Sequence, residues 1–194
     1  MSRAGLSPGR VVETAARLID AHGLEAVTLA SVAQELGVRT PSLYSHVGGL
    51  DDLRRSVGLR ALEVLDEACR TAAMGKAGGD ALRAVAGAYR TVARAHPGTY
   101  PLTQPARTGD AEWDRVSARV LEPLLAALHG MGIKGVAAIH DVRTLRSALH
   151  GFVLLELQGG FGLQVSLDRS FERMVDHVLV GIAAGAKEGS RRSG

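Results

Sequence analysis

Apolar residues recur at three- and four-residue spacing along nearly the whole chain, the period of helices that bury one face. The pattern predicts an all-α protein of about nine helices. The first runs from about Pro8 to His22, with Val12, Ala15, Ala16 and Ile19 on one face and Gly23 as its stop. The second starts at Thr28, a good N-cap, and places Leu29, Val32, Ala33 and Leu36 at i, i+3, i+4 and i+7 before Gly37. The third opens at Thr40-Pro41, an N-cap followed by a first-turn proline, and runs to about Val47, where Gly48-Gly49 breaks it. A short piece carries Tyr100 and Leu102. Longer helices are expected over about Leu50–Met74, Asp80–Ala95, Ala111–His129, Gly135–Gln158 and Asp168–Ala186, with a bend at Pro123. Loops fall at Gly75–Gly79, His96-Pro97-Gly98, Ala106–Asp110 and Gly159-Gly160, and the chain from Lys187 reads as a loose tail. The pattern shows no strand and no internal repeat.

The stretch from Thr28 to Val47 has the requirements of a helix-turn-helix. Two short helices that cross steeply need a small side chain at their closest approach, and Ala33 supplies it. The turn needs a residue tolerant of positive φ, and Gly37 supplies that. Val32, Leu36, Val38 and Leu43 then form a small shared core, closed by the Val12/Ile19 face. Arg39, Thr40, Ser42, Tyr44 and His46 are left pointing outward. In such a motif the second helix lies in the major groove with its N-terminal residues against base edges. Arg39 suits guanine, Thr40 and Ser42 suit base edges or phosphate, and Tyr44 and His46 suit phosphate oxygens on the flank. Amide groups at Thr28 and Leu29 offer a further phosphate site.

Composition narrows the picture without changing it. With 46% hydrophobic residues over 194 positions the chain can bury a real core, and with only 4% aromatics that core is small and aliphatic. One cysteine, Cys69, excludes an internal disulfide. It reads as a small helix residue, with a redox sensor as the competing role. No apolar leader precedes Arg10 and no stretch is long and apolar enough for a bilayer, so a cytoplasmic protein without a membrane partner is expected. Net charge is +3, yet residues 1–47 carry four arginines (3, 10, 17, 39) against four acids (Glu13, Asp20, Glu25, Glu35). Charge therefore does not point to DNA; the packing pattern does.

Residues from about 8 to 60 resemble the DNA-binding domain of the TetR family of bacterial transcriptional repressors. The residues that carry the resemblance are Thr28, Ala33, Leu36-Gly37-Val38, Pro41-Ser42-Leu43-Tyr44 and His46-Val47. Weaker likenesses to a C-terminal subclass of the family lie in Ala93–Tyr100 and Ala148–Gly162. The resemblance implies a homodimer that releases double-stranded operator DNA when a small molecule binds its C-terminal domain. It implies DNA-binding roles for Thr28, Leu29, Arg39, Thr40, Pro41, Ser42, Tyr44 and His46, in a domain of residues 1–48. Residues 49–188 would then bind ligand and dimerise, and 189–194 would be a flexible tail. One position departs from the family: where a phosphate-touching lysine usually follows the recognition helix, this chain reads Gly48-Gly49-Leu50-Asp51-Asp52. Arg54 and Arg55, one turn later, are the candidates to compensate.

In the C-terminal part, the Gly135–Gln158 helix is apolar on nearly all sides over its second half and needs partners around its circumference. With the last helix it is expected to form a four-helix dimer interface through Leu149, Val153, Leu157, Phe171, Met174, Val175, Val178 and Ile182. Burial within one chain is the competing reading. An effector pocket, mostly apolar, is expected among Leu62, Leu65, Tyr89, Tyr100, Trp113, Leu121, His150, Phe152 and Leu155, with core packing as the alternative for each. No histidine pair stands at metal-ligand spacing, no nucleophile or phosphate-loop motif occurs, and no cofactor is implied. A regulator is therefore expected rather than an enzyme. The second function to weigh is a ligand-binding helical protein with a weakened DNA-binding domain, motivated by the neutral charge and the missing lysine.

Overall fold

In a computed structural model, residues 5–105 and 109–192 are described, with side chains as far as Ala186. These residues form seven α-helices, three 3-10 turns and no strand. The helices are α1 (Pro8–His22), α2 (Leu29–Leu36), α3 (Leu50–Ala73), α4 (Gly78–Ala95), α5 (Ala111–Gly130), α6 (Gly135–Leu157) and α7 (Leu167–Arg192). The 3-10 turns are Leu24–Ala26, Thr40–Leu43 and Tyr100–Thr103.

The all-α expectation holds, but the helix count among the described residues is seven and not nine. The expected third helix is a four-residue 3-10 turn, Thr40–Leu43. The expected loose tail is also revised, since α7 continues past Ala186 to Arg192. The heart of the expected polar loop, residues 106–108, lies outside the described residues, as do the last two positions of the chain.

The chain folds into two compact units. The first comprises the chain up to Val64 together with His96–Asp114. Its core is Val11, Ala15, Ile19, Val27, Val32, Ala33, Leu43, Val47, Leu53 and Val57, all buried. The inward face of α1 is set by Val11, Thr14, Ala15 and Ile19; Val12, expected on that face, sits half-buried at its edge. The segment after His96 is fastened to the end of α1. Asp20 Oδ1 accepts from the backbone amides of Gly98 (3.0 Å) and Thr99 (2.8 Å), and Asp20 Oδ2 stands 2.9 Å from His96 Nδ1. A Cβ on Gly98 would lie 2.2 Å from the Ile19 carbonyl oxygen, so only glycine permits this approach. Trp113 packs nearly as closely, its ring edge 2.7 Å from where a Gly58 Cβ would be.

The second unit is Leu65–Ala95 with Arg115–Gly194. Here α4, α6 and α7 pack on one another through Leu82, Val85, Ala86, Tyr89, Leu145, Leu149, Phe152, Val153, Phe171 and Val175. Two buried charges, Asp66 and Arg90, are ion-paired in it. Asp66, 1% exposed, accepts from Nε (2.9 Å) and Nη2 of Arg119. Arg90 donates to both oxygens of Glu156 (2.8 and 2.6 Å) and reaches Asp168 at 2.8 Å. Its guanidinium lies 4.8 Å from the Phe171 ring centroid and 5.6 Å from that of Phe152. Burial, helped by the Asp66 charge, pushes the Cys69 thiol up to about 12, which suppresses the reactive thiolate and supports the structural role. No described helix is long and apolar enough to cross a membrane.

Two outcomes follow for stability. Gly98→Ala is expected to cost about 1–3 kcal/mol in urea denaturation, from the forced displacement of the Ile19 carbonyl. Desolvation, and secondarily Arg146, lowers the His150 pKa below its ordinary value of 6.5. The unfolded chain then takes up that proton first as pH falls, so this stability is present above pH 6.5 and is lost on acidifying through it. Wild type is expected to lose more stability than His150→Gln in urea titrations run on either side of that pH; equal losses would refute the assignment.

Candidate nucleic-acid interface

The Thr28–Val47 segment is shaped by three local devices. Thr28 caps α2 reciprocally: its hydroxyl accepts from the Ser31 amide at 3.1 Å, and the Ser31 hydroxyl accepts from the Thr28 amide at 2.9 Å. At the other end Gly37 adopts φ 68° and ψ 31°, and Val38 donates back to the Ala33 carbonyl at 3.0 Å. A turn of three residues, 37–39, then leads into Thr40–Leu43. This 3-10 turn has Pro41 as its second residue and is continued by His46 and Val47 amides donating to the Leu43 carbonyl (2.8 and 3.0 Å).

Leu43 is fully buried and Val47 is 5% exposed, so the turn's last residue and the chain just after it are fixed to the core. Ala33, at 2% exposure, leaves room for it. Around these anchors Arg39, Pro41, Ser42 and Tyr44 are exposed, Tyr44 to 60%. Thr40, His46 and Leu29 are half-buried, and Thr28 is exposed. The outward set expected from the sequence is thus brought to one short segment, with Thr40 and His46 more enclosed than the rest. Among the described residues Arg39 finds no ion-pair partner, whereas Arg17 is matched with Glu35 at 3.4 Å and Arg60 with Glu13 at 3.2 Å.

Of the two arginines after the missing lysine, Arg54 is half-buried and Arg55 is already engaged. Arg55 donates to Asp110 at 2.6 and 2.7 Å and to Glu112 at 2.8 Å, and these hydrogen bonds hold its pKa well above the ordinary value. It is committed inside the protein. Asp52 accepts from the Gly48 amide at 2.9 Å and so occupies a donor at the head of α3. The Arg55 pairing has no local sequence signal, because its partners lie more than fifty residues downstream.

The expected pocket residues are divided between the two units. Leu62, Tyr100 and Trp113 belong to the first unit and are buried there. In the second unit Leu65, Tyr89 and Phe152 are buried, Leu121 and His150 are half-buried, and Leu155 is 46% exposed. A cleft of about 560 Å³ does open in that unit, on α4 and α7, and of the expected pocket residues none lines it. Its walls carry arginines and carboxylates beside Phe171 and Val175, in contrast to the apolar lining expected. Among the expected interface residues, Leu149, Val153, Phe171, Val175 and Ile182 are buried by their own chain, because α4, α6 and α7 pack face to face. Leu157, Met174 and Val178 are half-buried.

Comparison with known proteins places this architecture. The profile described as "Bacterial regulatory proteins, tetR family" matches residues 11–57. A second, "Tetracyclin repressor-like, C-terminal domain", matches residues 82–178. The uncharacterized HTH-type transcriptional regulator Rv0681 of Mycobacterium tuberculosis is 34% identical over 192 residues, covering 98% of this chain and 88% of the relative. The regulator YobS of Bacillus subtilis, likewise uncharacterized, is 30% identical over 181 residues, covering 93% and 94%. The crystal structure of the Streptomyces coelicolor TetR family protein ActR in complex with (S)-DNPA shares the fold. Its TM-score is 0.69 at 21% identity, with 94% of this chain and all of that one covered. The capped, glycine-turned reading segment and the helical body that follows it in the chain thus identify the protein as a member of the TetR family of helix-turn-helix transcriptional regulators.

Proposed function

We propose that this regulator is a repressor that grips a palindromic operator as a homodimer and releases it when a small molecule binds the second unit. The observation that carries the reading is the 3-10 turn Thr40–Leu43, pinned by buried Leu43 and Val47 while Arg39, Ser42 and Tyr44 stand exposed and Arg39 has no ion pair among the described residues. Arg39 is assigned to a base edge, Thr40, Pro41 and Ser42 to the groove wall, and Tyr44 and His46 to flanking phosphates. The capped start of α2 at Thr28 and Leu29 is assigned to a further phosphate.

The dimer face is assigned to the flanks of α6 and α7 that the chain leaves uncovered. On α6, Ser147, Gly151 and Leu155 follow at four-residue spacing and all are exposed. On α7, Val180 is 69% exposed, with Gly181 and Ala184 beside it. Two copies meeting there would set two reading segments about one DNA turn apart, roughly 34–36 Å, which gives the affinity that a single short element lacks.

Three measurements test this reading. With a duplex selected from a random library by the wild-type protein, Tyr44→Ala is expected to weaken binding about tenfold or more in a gel shift, with the helical content unchanged. A wild-type protein that selects no sequence would instead favour the ligand-binding alternative. With Arg55 committed to Asp110 and Glu112, few phosphates are neutralised, and the slope of log K against log salt is expected to be shallower than roughly −6 for the dimer. A slope near roughly −10 would refute it. In sedimentation, wild type is expected to be a dimer at micromolar concentration and Val180→Arg a monomer; a dimeric Val180→Arg would move the interface elsewhere.

A further inference from the structure

The cleft on α4 and α7 is framed by an interrupted ladder of ion pairs. Arg83 on α4 donates to Asp176 on α7 at 2.8 and 3.1 Å, and Arg90, seven residues on, reaches Asp168 at 2.8 Å. These two rungs fix the register of the antiparallel pair. The rung between them joins position 87 to position 172. There α4 supplies Gly87, and a Cβ built on it would meet nothing within 4 Å. Across from it α7 supplies Glu172, which has no ion pair among the described residues. The acids of α7 thus run Asp168, Glu172, Asp176 at four-residue spacing, and of these three the middle one lacks its cation.

The surrounding arginines are already satisfied. Arg83 is also 3.3 Å from Asp80, and Arg90 holds both oxygens of Glu156. Arg94 has a looser contact, 3.8 Å from Glu156. Three guanidiniums and three carboxylates line the cleft, and of those acids Glu172 alone has no ion pair among the described residues, so the unfilled place beside it favours positive charge. Phe171 and Val175 give an apolar wall beside it.

We infer that this cleft binds a small organic cation, a protonated amine or amidinium on a compact apolar body, whose charged head completes the empty rung against Glu172. This names the effector class and rests on the reading that the second unit carries the effector. The volume of about 560 Å³ suits a small-molecule ligand.

Phenethylamine and the carboxylate hydrocinnamate, alike in size and opposite in charge, are the probes, read by calorimetric titration against the full chain. Saturable binding of phenethylamine, about tenfold weaker in Glu172→Gln, with no binding of hydrocinnamate, is the expected result. Binding untouched by Glu172→Gln, equal binding of the two probes, or no binding of phenethylamine overturns it. A second test fills the rung from the chain itself. Gly87→Lys is expected to melt about 2 °C or more above Gly87→Ala, the alanine variant correcting for helix propensity. That margin is expected to vanish in the Glu172→Gln background, and its persistence there refutes the empty rung. Neither readout uses DNA, so failure here leaves the operator reading standing, and loss of operator binding leaves the cleft standing.

Discussion

The burial of Leu43 is the constraint on which the reading segment depends. A four-residue 3-10 turn has little stability of its own, since few hydrogen bonds offset the ordering of its backbone. It persists here because Leu43 is wholly buried and Val47 nearly so, while Ala33 is small enough to let the turn approach α2. Gly37 takes the left-handed conformation that directs the chain from α2 into it. With the anchors inside, the polar residues around them have only one side on which to stand. The exposed position of Arg39, Ser42 and Tyr44 is therefore a by-product of hydrophobic burial, and charge plays little part in it.

The same logic extends to the segment that joins α4 to α5. His96–Asp114 belongs to the unit of the reading segment and is attached by polar groups that find their partners at long range. Asp20 takes up the amides of Gly98 and Thr99, and Arg55 is absorbed by Asp110 and Glu112. The consequence for function is subtractive. A cation that the sequence leaves available is engaged in holding the protein together.

In the second unit the buried Arg90 is held by two carboxylates, and that makes an exposed, unmatched charge on the same face informative. Arg90 is saturated by Glu156 and Asp168 and set against two aromatic rings, so it organises the contact of α4, α6 and α7. Glu172 lies on the same ladder without an ion-pair partner among the described residues. Opposite it α4 carries Gly87, which offers no side chain to meet it.

Much of this is legible in the sequence. Helical periodicity, the Thr28 cap, the Gly37 turn, the small Ala33 and the buried Leu43 are local or near-local features, and each follows from neighbours within a few residues. So does the outward polar set, because burying one side of a short segment exposes the other. The length of the reading element is not legible in this way, since a cap followed by proline opens an α-helix and a 3-10 turn alike and only packing decides where it stops. The tertiary structure alone decided which arginines are engaged, which wall faces the cleft and which apolar residues are covered. Leu149 and Val175 look the same in sequence whether they meet their own chain or a second copy, and Arg55 looks available until Asp110 is folded against it. Periodicity records that a face is buried; its partner is chosen by elements dozens of residues away, whose contacts leave no trace in the local pattern.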